Sequence, residues 1–418
     1  MTLTGLWRNV DFLKLWFAQT VSGLGSLMGA LGFVAVLGLG ASPFQMGLLG
    51  AFGLLPALMF GLVAGVWVDR LPRRPILIVA DFGRAALLAS IPLAWIIDSL
   101  TIEQLYVVSF GTGLMRVFLD IAYRSYLPSL VPRGNLIEAN SKLSASGSVV
   151  EAVGFSAGGW IAQFLGSITV AVFDAVTFFV SGIVFSTIRK QEPARENTSE
   201  RRSMRREIAE GLAFVWKDGI LRAIAGSTAF TGFTDGVMTA LWLIYFVEEL
   251  GIQPGVVGTI AGVGGVASIG GAAYARRVTR KFGIGPTIVV GHGITAIAFF
   301  LVPAASGPVW LAVAFLVAAQ LADAPWTVFE INETSLKQAI TPGNMLGRVS
   351  ASNEVLHLST ALVGLLAAGI LGEIIGVRVT MVIGGVFGVL AVVVLAVSPV
   401  LRTRELPETA TEEKKSLP

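Results

Sequence analysis

Apolar residues in this chain run in stretches of about twenty, separated by short Pro/Gly turns or charged gaps. A helix needs about 20 apolar residues to cross the hydrocarbon core of a bilayer, so each stretch predicts a span. Twelve are found, at roughly 12–39, 45–68, 75–97, 103–127, 138–165, 167–188, 220–247, 254–276, 284–304, 308–332, 347–371 and 376–400. The first is too long for the apolar core of a signal peptide, and no small-residue cleavage site follows a short core, so it reads as a span. The expected fold is an all-α membrane protein of twelve transmembrane helices.

The pattern changes at 189–219, where "RKQEPARENTSERRSMRREIAE" is hydrophilic and dense in charge. Within this gap Ile208, Leu212 and Val215 recur at steps of four and three, which predicts a short amphipathic helix on the inner leaflet. A solvated charged tether is the alternative. The gap divides the chain into six-span halves, 1–188 and 220–400, with a tail at 401–418, and the halves echo one another. Trp7 of "GLWRN" precedes Trp216 of "FVWKD" by 209 residues, and "PRGNLIEANS" (Gly134, Asn135) precedes "TPGNMLGRVS" (Gly343, Asn344) by the same offset. "GVWVDR" from Gly65 aligns with "GAAYAR" from Gly271 at an offset of 206. Such duplication is how many secondary transporters build two pseudo-symmetric bundles around a central site.

Composition excludes an aqueous fold. The 418 residues are 54% hydrophobic and 14% charged, against about 25% charged in soluble domains. There is no cysteine, hence no disulfide or thiolate site, and His292 and His357 have no metal-ligand spacing. No clustered basic face points to nucleic acid. With the amino terminus cytoplasmic, 27 of the 30 Lys and Arg fall at the cytoplasmic side, two (Arg84, Arg116) within spans and one (Arg378) outside. That asymmetry predicts a multi-pass protein with both termini in the cytoplasm.

"GLVAGVWVDRLPRRP" resembles the loop between the second and third helices of the major facilitator superfamily, a Gly-x-x-x-Asp-Arg-x-Gly-Arg-Arg pattern matched by Gly65, Asp69, Arg70, Arg73 and Arg74, with Pro72 replacing the second glycine. The arginines anchor the loop in the cytosol, and Asp69 can accept hydrogen bonds from them or cap a helix start. The resemblance implies more: a latch, made by these residues with Asp81 and Arg84 of span three, that holds the two halves together on the cytoplasmic side. "ADFGRA" in span three, with Asp81 and Arg84, "SYLPSLVPRGNLIEAN" after span four and "FDAVTFFVSG" in span six, with Asp174, are similar to the drug-efflux branch that includes macrolide and enterobactin exporters. In span five, "GFSAGG" (Gly154, Gly158, Gly159) resembles an antiporter motif whose proline is here Phe155. Small residues at this spacing permit close helix contact.

An ionisable side chain inside a span is a functional candidate by default. Arg116 and Asp120 stand at i and i+4 in span four and can pair. Asp235 in span seven, Asp323 in span ten beside Pro325, Glu151 in span five, and Glu354 with His357 in span eleven are the other candidates for carrying a coupling proton. A carboxylic acid in a dehydrated cavity holds a proton more readily than in water, so it can load from one side and release to the other. Thr239, Trp242 and Phe246, on the Asp235 face of span seven, and Trp326 are candidates for contact with a bulky amphiphilic cargo. Taken with the resemblance, these residues imply a monomeric inner-membrane exporter of drug-like or siderophore-like small molecules, driven by a proton gradient and without a cofactor. A lipid or nutrient carrier fits the same scaffold. An intramembrane enzyme would need a nucleophile–base pair or metal ligands at membrane depth, and no such motif is present.

Overall fold

The computed structural model describes Leu6 and residues 9–189, 204–343 and 345–405; the side chains of a few helical residues, Asp69 and Ile208 among them, also lie outside the described set, as do Trp7 and Asn344. The described residues are helical with short turns and contain no strand. Eleven helices are long and apolar enough to cross a bilayer. They are span one (Val10–Gly38), span two (Pro43–Arg70), span three (Arg73–Ile96), span four (Ile102–Leu130), span six (Ser167–Ser186), span seven (Gly219–Glu249), span eight (Pro254–Phe282), span nine (Ile284–Ala304), span ten (Val309–Ile340), span eleven (Leu346–Ile375) and span twelve (Val377–Ala396). Span five (Leu136–Leu165) is a helix of 30 residues but more polar, with Glu138, Lys142, Glu151 and five serines. With span five counted, the order among the described residues follows the expected twelve spans.

The residues that start the spans are those the loops supply. Ser42 caps span two in a reciprocal pair with Gln45, and Pro43 occupies the first turn, where a missing N–H costs nothing. Thr101 accepts from Gln104 N at the start of span four, and Asp218 accepts from Ile220 N and Leu221 N at the start of span seven.

The duplication recurs in the backbone. Spans five and eleven are both 30 residues, spans six and twelve both 20, and each pair is joined by a single residue, Gly166 (φ 88°) and Gly376 (φ 87°). Those positive φ angles make so tight a corner available to glycine and strained for other residues. Spans one and seven also both end in a five-residue π-helical turn, Val34–Gly38 and Tyr245–Glu249.

The chain forms two compact units, Met1–Ser199 with Phe246–Gly262 and Glu200–Tyr245 with Val263–Pro418. In the first, Phe12, Leu15, Leu77, Leu119, Tyr126 and Phe185 form the core. In the second, Ile224, Ile284, Ile288, Phe329, Leu336 and Leu395 do so. Ile96, Phe164, Trp310, Ile374 and Val397 stand exposed on the outsides of these units; so much bare apolar surface calls for lipid around it.

Between the halves, Met204–Lys217 is a helix docked on span eleven within the second unit. Its buried seam differs from the predicted one. Val215 is buried, Gly211 lies against the Arg348 carbonyl, and Leu212 points outward with Trp216. Gly211 has no side chain, so the backbone approaches span eleven there and the seam turns away from Leu212. Glu210 and Arg348 pair across the contact at 2.8 Å.

Candidate functional site

Within the second unit, spans seven and eleven pack backbone to backbone at Gly232, Gly236 and Gly364; a Cβ at Gly232 would overlap the His357 carbonyl. The close approach brings Asp235 Oδ2 to 3.8 Å from His357 Nε2. Both side chains remain about one-third exposed, at 37% and 33%.

His357 also lines a cavity of about 320 Å³ inside this unit. Span seven contributes Thr228 and Thr231, span eleven Asn353 and Glu354, and span ten Trp326, Phe329, Glu330, Glu333 and Lys337. Lys337 Nζ reaches Glu333 Oε1 at 3.4 Å. Three carboxylates against one ammonium leave the cavity acidic, and Trp326 and Phe329 give it an aromatic wall. Behind that wall His292 is buried, its ring centre 4.4 Å from that of Phe329, with Nε2 3.5 Å from Thr231 Oγ1. The arrangement offers a partly exposed acid–imidazole pair, an acidic pocket and a flat apolar surface in one place.

The sequence candidates fall as follows. Asp235, Glu354, His357 and Trp326 come together. Thr239 is exposed and Trp242 half-buried one and two turns along span seven, outside the cavity lining, and Phe246 is buried. Asp323 starts the second half of span ten after a break at 321–322, its carboxylate against Gly264. In the first unit, Arg116 Nε and Asp120 Oδ2 lie 3.6 Å apart with largely exposed side chains, and Glu151 is exposed on span five.

The motif residues are spread over two levels. Gly65 faces open space and Arg70 is exposed, while Arg73 is half-buried. Arg74 donates to the carbonyls of Phe185 and Ser186 at the end of span six, a cation on the negative end of a helix. Asp81 and Arg84 lie deeper, buried between spans. Gly154 lies against Leu27, Gly158 against the Met28 backbone and Gly159 against Pro254 and Gly258. Around that last contact Ser156 donates to Gly258 O at 3.0 Å, and Gln163 accepts from Gly255 N at 2.9 Å.

Sequence reasoning missed Glu330, which lies inside the predicted span, and Glu333 and Lys337, which lie beyond its end at 332 where hydropathy falls, whereas the helix runs on to Ile340. Among the described residues no group of three or more His, Asp or Glu is arranged to hold a metal ion.

The sequence profile of the Major Facilitator Superfamily matches residues 15–329. The chain belongs to that family. It is a multi-pass membrane transporter of small molecules. The multidrug efflux pump Tap of Mycobacterium tuberculosis (strain ATCC 25618 / H37Rv) is 29% identical over 320 residues, covering 71% of this chain and 73% of that one. The pump of the same name from Mycolicibacterium fortuitum is 26% identical over 389 residues, covering 89% and 92%. Among solved structures, a bacterial homologue of the iron transporter ferroportin in an inward-facing state has the same fold, with a TM-score of 0.75 at 15% identity over 94% of this chain and 99% of that one. The nucleoside transporter NupG does too, at 0.72 and 13% over 93% and 98%. The same superfamily fold thus carries quite different cargoes.

Proposed function

We propose that this chain is a secondary active exporter of amphiphilic, drug-like or siderophore-like small molecules that works by alternating access in exchange for protons. It lies in the inner membrane as a monomer with both termini cytoplasmic and uses the proton gradient in place of a cofactor. The observation that carries the reading is the Asp235–His357 pair opening beside an acidic, aromatic-walled cavity. When the imidazole takes a proton it becomes the ion partner of Asp235, and when Asp235 takes one the pair falls apart. A cargo that enters the cavity meets His357, so proton and cargo compete at the imidazole of the pair. The Tap relatives, named as efflux pumps, support the outward direction.

The test is cargo-induced loss of a proton gradient in vesicles. Everted vesicles holding a proton gradient should lose part of it on addition of a cargo, and Asp235→Asn should abolish that loss while cargo binding to purified protein persists. Gradient-independent transport, or an Asp235→Asn protein that still dissipates the gradient, would overturn the reading.

A further inference from the structure

The interior of the first unit holds a charged cluster that this exchange does not use. Asp81 and Arg84 lie one turn apart on span three, with Asp174 on span six; they are 0%, 5% and 6% exposed. Arg84 Nη1 lies 3.4 Å from Asp81 Oδ1, and Nη2 donates to Ser26 Oγ at 2.6 Å. Ser22 Oγ bridges the two, donating to Asp81 Oδ1 and accepting from Arg84 at 3.4 Å each. The guanidinium carbon lies 3.6 Å from the centre of the Phe178 ring. Through Nη1 and Nη2 Arg84 thus meets Asp81 and two serines, and its plane lies on an aromatic face.

Asp174 is left over. Its Oδ1 has no hydrogen-bond partner and lies where a Cβ on Gly25 would be. Three further atoms in the cluster lack partners: Asp81 Oδ2, Arg84 Nε and the Oγ of Ser181, which is 0% exposed and faces Asp81. The charge that acts on Asp174 is Arg84, and the further charges that act on Arg84 are Arg116 and Asp120 of span four, which neutralise one another at 3.6 Å. On span one the nearest charges, Asp11 and Lys14, pair at 3.9 Å near the start of the helix, well before Ser22. Two carboxyls and one guanidinium thus leave one negative charge uncompensated in a buried site, where a bare carboxylate is far costlier than a neutral acid.

We propose that this cluster is a proton-binding site, in which Asp81 stays ionised as the partner of Arg84 and Asp174 holds one proton. Binding transfers the proton from hydronium to a carboxylate oxygen of Asp174: one O–H bond forms, one breaks, and water is left. The inference rests on the charge count in the first unit and stands apart from the role given to Asp235.

Infrared difference spectra of the full-length protein in phosphatidylcholine vesicles, with aspartate side chains 13C-labelled, test it directly. At neutral pH the wild type should show a protonated aspartate carboxyl band that is lost in Asp174→Asn and kept in Asp235→Asn. Asp174→Asn should keep the wild-type melting temperature, because an amide is isosteric with a neutral acid, whereas Asp81→Asn should lower it by stripping Arg84 of its counter-charge. A wild type without any protonated aspartate band overturns the proposal with no variant needed. So does a band unchanged in Asp174→Asn, or one that disappears when sodium replaces choline at constant pH, which would assign the site to a metal cation.

Discussion

Gly158 shows how little freedom a single residue has at a helix crossing. A Cβ there would overlap the backbone of Met28, which cannot swing aside as a side chain can. Forcing atoms into a packed contact costs about 1–3 kcal/mol, more where backbone must move. Gly158→Leu is expected to lower the melting temperature of the purified protein sharply. At Gly147, where nothing lies within 4 Å of the added methyl, Gly147→Ala should leave it unchanged or raise it slightly, since alanine is favoured over glycine inside a helix by roughly 0.5–1 kcal/mol. The close contacts of Gly154, Gly158 and Gly159 were readable from their spacing. The partners of the buried charges were not: Asp235 meets His357, and Asp174 faces Arg84, across different spans, and no local pattern in a sequence encodes which helix lies opposite.

At the scale of the element, apolar run length located the spans because the bilayer imposes that length, but it located their ends poorly. A run of apolar residues marks where a helix leaves hydrocarbon, not where it stops. Span ten therefore reaches Ile340 and carries Glu333 and Lys337 into the cavity. The helix Met204–Lys217 makes the complementary point, since its period was legible but its docked face was set by Gly211. Contact rather than charge should hold it. Glu210 and Arg348 are partly exposed, and such pairs contribute about 0–1 kcal/mol. Arg348→Ala should accordingly change amide exchange in this helix little, while Gly211→Leu, whose Cβ would overlap the Arg348 carbonyl, should raise exchange throughout 204–217.

For the whole molecule, orientation is the property on which the exporter reading depends, and the absence of cysteine makes it simple to test. Arg280→Cys, in the basic end of span eight, should react with an impermeant maleimide only after the membrane is opened. Glu373→Cys, near the other end of span eleven, should react in intact cells. The reverse result would place the basic ends outside and sink the assignment. The corners at Gly166 and Gly376 add a mechanical point. A hinge needs slack, and one residue supplies almost none, so a tilt of span five must carry span six with it, and a tilt of span eleven must carry span twelve. Each pair should therefore move as a single lever, which makes these corners poor places for an inserted tag and good ones for a distance probe.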